Sequence, residues 1–258
     1  MRKTPSLLIH RLKGKGKRNN ITSIHKKIPM KRIFVALYLL IFVTACDAQA
    51  EKKNARKIFN GKDLEGWTAD TTFWSVKDGS IVGEVTPQKQ LSYNTFCIWK
   101  EEKPADFELR AKVRITSEGN SGIQYRSEIL ENNPHRLKGY QIDLDGQNNY
   151  SGILYEEAGR GILAMRGTKV LIRSKDSLEN TKFAEHDSLK TAIHPNEWNE
   201  LRIVVKGNLL QHYINDVLMD EVKDEDKQNQ KFSGLIGLQL HVSSQMKVEF
   251  KDIYYTPL

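Results

Sequence analysis

From Ile58 onward the chain is built of short apolar–polar alternations broken by Gly, Asn and Asp, and a period of two predicts β-strands rather than helices. In Leu201, Ile203 and Val205, and again in Val248 and Phe250, apolar side chains alternate with polar ones, as one buried face requires. Strands are expected at Trp74–Val76, Ser80–Gly83, Phe107–Ile115, Gly122–Ile129, Gly139–Leu144, Ser151–Tyr155, Lys169–Ile172, Glu200–Val205, Leu209–Ile214, Leu235–Leu240 and Met246–Tyr255. Lys77-Asp78-Gly79-Ser80 and Ile214-Asn215-Asp216-Val217 read as hairpin turns. Short helical turns are expected only at Lys62–Gly66 and Lys182–Leu189. This pattern predicts an all-β chain, a sandwich or jelly roll, with one domain over residues 58–258. Two packed sheets bury one set of side chains and leave a curved outer face for a ligand.

Residues 119–167 carry the most chemistry. In Gly122–Ile129, Ile123, Tyr125 and Ile129 fall on one parity, and Gln124, Arg126 and Glu128 on the other. In Gly139–Asp145 the two sets are Tyr140, Ile142, Leu144 and Gln141, Asp143, Asp145. Carboxylates, amides and an arginine recurring on successive strands are what a polar, sheet-lined cleft needs, and they point to a carbohydrate ligand. Tyr125, Tyr140 and Tyr155 share the apolar parity and are expected in the core, as are Trp74 and Trp198. A core placement of these aromatics weakens a pure lectin reading, which calls for exposed aromatic platforms.

Charge changes the picture only at the N-terminus. Of 40 Lys and Arg, eleven lie in residues 1–45, which contain no Asp or Glu; this leaves 29 basic against 32 acidic residues from Cys46 onward, a net of −3. The overall charge of +8 therefore belongs to the leader, and nucleic acid is not an expected partner. Met30-Lys31-Arg32, the apolar run Ile33–Val43 and Thr44-Ala45-Cys46 have the order of a secretory signal and resemble a bacterial lipobox. The expectation is translation from Met30, with residues 1–29 an extension, a signal at 30–45, lipid on Cys46 and a polar tether over 46–57. That makes a membrane-anchored lipoprotein at the periplasmic or outer-membrane face. Cys97, in Phe96-Cys97-Ile98-Trp99, reads as a buried structural thiol.

A run of landmarks in order resembles the 3-keto-disaccharide hydrolase family, formerly domain of unknown function 1080. It opens with Ile58-Phe59-Asn60-Gly61-Lys62-Asp63-Leu64-Glu65-Gly66-Trp67. It continues through Phe73-Trp74-Ser75-Val76-Lys77-Asp78-Gly79, Asp106-Phe107-Glu108-Leu109, Gly119-Asn120-Ser121-Gly122-Ile123 and Gly139-Tyr140-Gln141. It closes with Glu197-Trp198-Asn199, Gly237-Leu238-Gln239-Leu240-His241 and Phe250-Lys251-Asp252-Ile253. The resemblance implies a concanavalin-like jelly roll and action on glycosides oxidised at C3. The same sandwich also serves carbohydrate-binding modules and conventional glycoside hydrolases, so those readings stay open.

A C3 ketone acidifies the C2 proton, so cleavage by β-elimination and hydration needs a base, an acid for the leaving oxygen and a stabiliser for the enolate. Asp143 is the candidate base, His241 the leaving-group acid and Arg126 the anion stabiliser. Asp143 or His241 could alternatively ligate a divalent cation through the same atoms. Gln124, Gln141, Asp145, Glu156, Arg160, Arg166 and Gln239 are candidate substrate contacts. Each has a bland alternative: a turn for Asp145, ion pairs for the arginines, a structural role for the histidine. No closely spaced Cys/His zinc motif, P-loop, Rossmann fingerprint or nucleophile elbow occurs.

Overall fold

The computed structural model describes residues 54–130 and 133–258; the expected signal segment, Cys46 and most of the tether lie outside them. Two sheets make up the fold. The seven-stranded sheet runs, edge to edge, through Gly161–Ala164, Leu154–Glu157, Leu137–Asp145, Asn120–Ile129, Leu235–Leu240, Thr95–Trp99 and Trp67–Thr68. The ten-stranded sheet runs through Ser177–Lys182, Thr168–Ser174, Val217–Asp224, Leu209–Ile214, Asn199–Lys206, Phe107–Ile115, Met246–Pro257, Ser80–Val85 and Trp74–Lys77. Its tenth strand, Arg56–Lys57, pairs with Tyr255 and Tyr254, so strand pairing extends to the two residues before Ile58.

Alternation builds the core as the sequence predicts. Leu201, Ile203 and Val205 point inward from one sheet, and Ile123, Tyr125, Tyr140 and Ile142 from the other. Asp78-Gly79 and Asn215-Asp216 all take positive φ, the left-handed pair that matches the twist of two-residue hairpins. Thr95–Trp99 is buried on both faces, so it has no alternation and no strand was expected there. Ser177–Lys182 is exposed throughout, an edge strand without an apolar signal. The strand expected from Ser151 starts at Leu154, because residues 145–151 form a turn, and the only helical element near 182–189 is the 3-10 turn Ser188–Ala192.

The interior also holds polar chains that tie the sheets together. Tyr125 Oη and His212 Nε2 are 2.9 Å apart, and His212 Nδ1 lies 3.0 Å from Asp220, all without solvent access. Beside them Arg160 pairs with Glu156 at 2.5 Å on its own sheet and with Asp224 at 2.6 Å and Asp226 at 3.3 Å on the facing one. Tyr140 donates to Asp224 at 2.6 Å. Isolated buried charges would be costly, and these partners offset that cost. Cys97 is fully buried, and burial pushes its thiol well up, as expected of a structural cysteine.

Candidate functional site

The outward face of the seven-stranded sheet is concave. Its curvature shows in Leu137, which meets Phe96 and Ile98 although two whole strands lie between theirs in the sheet. Part of this hollow is open, a cleft of about 310 Å³ at the lower end of the usual size for small-molecule sites. Its floor is Gln141, Asp143 and Gln239. Tyr155, Glu157 and Ile162 line it from one edge, Asn94 and His241 from the other, with Asn120, Tyr150 and Ile153 completing it.

Gly122 sits opposite Asp143 in the strand register. A Cβ there would come within 2.7 Å of Gln141 Cγ and 2.8 Å of its Cδ. The missing side chain therefore gives the Gln141 amide room to lean across the floor. Gln141 Nε2 donates to Asp143 Oδ1 at 2.6 Å and to Gln239 Oε1 at 3.1 Å. Burial pushes the Asp143 carboxyl up to about 7; the Gln141 hydrogen bond opposes this, and the charges of Glu157 and Asp145 add to it. A carboxyl poised near neutrality on the floor of a cleft is a candidate proton carrier.

The other side chains supply further donors and acceptors. His241 Nδ1 donates to the Val242 carbonyl at 2.7 Å, which leaves Nε2 as the ring nitrogen that can exchange a proton in the cleft. Burial, then the charges of Glu157 and Asp143, raise the Tyr155 hydroxyl and keep it a donor. Among the described residues lining the cleft none is Lys or Arg. Asp143, Glu157 and His241 share the lining, yet among the described residues no three His, Cys, Asp or Glu side chains come together in a set that could hold a metal ion.

The expected site residues thus divide. Asp143, His241, Gln141 and Gln239 come together in the cleft. Arg126 does not, because a bulge intervenes: its φ is 46°, the register with Leu137–Asp145 shifts between Tyr125 and Glu128, and simple alternation fails. Its buried guanidinium donates to the carbonyls of Ala105, Gly207 and Lys231 and to Asp106. Gln124 has the outward parity but is fully buried beside Ser127, apart from the cleft. Asp145 caps the turn after it, accepting from the backbone of Asn149, Tyr150 and Ser151. Glu156 and Arg160 face the interior, in the ion-pair network between the sheets. Arg166 is buried against Asn148, Ser151 and His186. Tyr155 lines the cleft instead of the core, and Trp198 is half-buried on the other sheet, with Lys251 3.9 Å and Arg114 4.7 Å from its ring.

Asn94, Glu157, Tyr150 and Asn120 were missed. Alternation with Tyr155 would have found Glu157, once Leu154 and Glu156 are recognised as the inward pair. Asn94 precedes a strand without alternation and carries no sequence signal.

The family model for the 3-keto-alpha-glucoside-1,2-lyase-like domain matches residues 54–256. The chain is a member of that family. This is the 3-keto-disaccharide hydrolase family that the landmarks resemble. Curated proteins gave no match. Among solved structures, a protein of Parabacteroides distasonis proposed to be a glycosyl hydrolase is similar at 18% identity and TM-score 0.55, over 81% of this chain and 96% of its own. A second such protein from the same organism matches at 16% identity and TM-score 0.52, over 79% and 99%. The carbohydrate-binding module CBM66 from Bacillus subtilis matches at 14% identity and TM-score 0.50, over 74% and 95%. At these identities the likeness is one of fold, and the all-β jelly-roll sandwich is shared by enzymes and binding modules.

Proposed function

We propose that the protein cleaves 3-keto-glycosides, with Asp143 as the base. The observation that carries this reading is a buried carboxyl on the cleft floor, poised near 7, in a member of a 3-keto-glucoside lyase-like family. Asp143 takes the C2 proton, and the electron pair of the C2–H bond forms C2=C3 and leaves negative charge on the C3 oxygen. Collapse of this enolate restores the ketone, forms C1=C2 and expels the C1 substituent. His241, protonated on both nitrogens, gives the leaving oxygen its proton from Nε2. Water then adds, hydroxyl to C1 and proton to C2, for net hydrolysis. The enolate oxygen needs donors other than Arg126, and the Tyr155 hydroxyl and the cleft amides are the groups present for that task.

The test is aglycone release from matched 3-keto and unmodified glycosides by the purified protein. Release from the ketone alone is expected. Release from the unmodified sugar would make it a conventional glycosidase, and binding without turnover a carbohydrate-binding module. The same reading includes a lipid on Cys46: intact mass of membrane-extracted protein is expected to show an acylated N-terminal cysteine, and an unmodified chain retaining residues 30–45 would refute it.

A further inference from the structure

Glu157 ends the strand Leu154–Glu157 and Asn94 immediately precedes the strand Thr95–Trp99, on opposite flanks of the concave sheet. In its strand order, Leu154–Glu157 and Thr95–Trp99 are four steps apart, about 19 Å across a flat sheet at the usual strand spacing. Yet Asn94 Nδ2 donates to Glu157 Oε1 at 3.1 Å, so the two side chains join across the hollow. Asn94 is held from behind, because its Oδ1 accepts the Val242 amide at 3.0 Å, next to His241. Both bridging residues line the cleft. The remaining hollow is filled: Phe96, Ile98, Leu137 and Gln124 are all buried and none lines the cleft. A groove for a polysaccharide chain needs two open ends, and this one has a wall.

We infer that the Asn94–Glu157 bridge makes the cleft one-ended, so that it takes the oxidised sugar only at a chain end and rejects one inside a chain. This rests on the 3-keto-glycoside reading above. Asn94 is then a specificity-determining residue: it contributes the wall, and its chemistry is confined to a hydrogen bond to Glu157 and another from Val242.

The test compares two 3-keto trisaccharides, one oxidised at the non-reducing end and one at the middle residue. It uses both turnover by the wild-type protein and equilibrium binding to Asp143→Asn protein. Wild type is expected to prefer the terminal ketone by ~10-fold or more in kcat/KM, and the binding preference should run the same way. Asn94→Ala and Glu157→Ala are each expected to narrow that ratio, through gain on the middle-oxidised sugar. Equal handling of both sugars by wild type, or an unchanged ratio in both folded variants, overturns the inference. If neither trisaccharide turns over, the 3-keto reading fails, while the binding ratio still decides whether the pocket is one-ended.

Discussion

Gln141 Nε2 donates to Asp143 Oδ1 at 2.6 Å from the same face of the same strand. The bond occupies one carboxylate oxygen and leaves Oδ2 for substrate. It also favours the charged form against burial, which favours the neutral one. Gln141→Met should therefore move the acid limb of the kcat/KM–pH profile to higher pH and lower the plateau. An unmoved limb would show that Gln141 does not set the ionisation of Asp143.

Asp143 ties activity to stability with opposite signs. Its folded value near 7 lies above the ordinary 3.8, so the native state binds the extra proton between these values. The stability it contributes is full below about pH 4 and is lost as pH rises through about 7. Asp143→Asn cannot ionise, so its Tm should fall less than wild type across that window. Turnover should drop by ~10²-fold or more. Parallel Tm–pH curves for the two proteins would contradict the buried-carboxyl assignment.

Gly122→Ala tests how the floor is assembled. The new Cβ would lie 2.5 Å from the Ile142 carbonyl oxygen as well as against Gln141, and neither backbone nor floor can yield freely. A cost of about 1–3 kcal/mol is expected, with kcat/KM falling alongside as the Gln141 amide is displaced. Unchanged melting and kinetics would mean that the amide does not occupy this space.

Arg126 and Arg160 should behave as structural cations. Arg126→Met strands three carbonyls around a buried position, and Arg160→Met leaves Glu156, Asp224 and Asp226 buried with their cation gone. Each is expected to cost about 3–5 kcal/mol, read by denaturant melts. Arg160→Met should also raise KM, because Arg160 fixes the Leu154–Glu157 strand that presents Tyr155 and Glu157 to the cleft. Full stability in either variant would refute its network.

Much of this was legible in the chain, and the gaps have physical causes. Alternation gave the inward faces of Gly122–Tyr125 and Tyr140–Leu144 correctly, because there the apolar side chains go to the core and the polar ones to the opposite face. It failed at Arg126, where one residue in left-handed conformation resets the parity of everything after it. Glu156 and Arg160 read as substrate contacts in sequence; only the Asp224 and Asp226 carboxylates of the other sheet, more than 60 residues away, make an inward position tolerable. The Asn94–Glu157 bridge depends on sheet curvature, a property of the assembled strands that no local pattern encodes. Asp143 and His241 line the cleft together because both keep strand-like parity up to it.

The central claim is that Asp143 removes the C2 proton of a 3-keto sugar. NMR of the products formed in D₂O from a 3-keto-glycoside, against an enzyme-free control, tests it most directly. Elimination and hydration predict deuterium at C2 of the released 3-keto sugar with wild type, and loss of both release and C2 labelling with Asp143→Asn. Release of a sugar that retains protium at C2 would contradict the account.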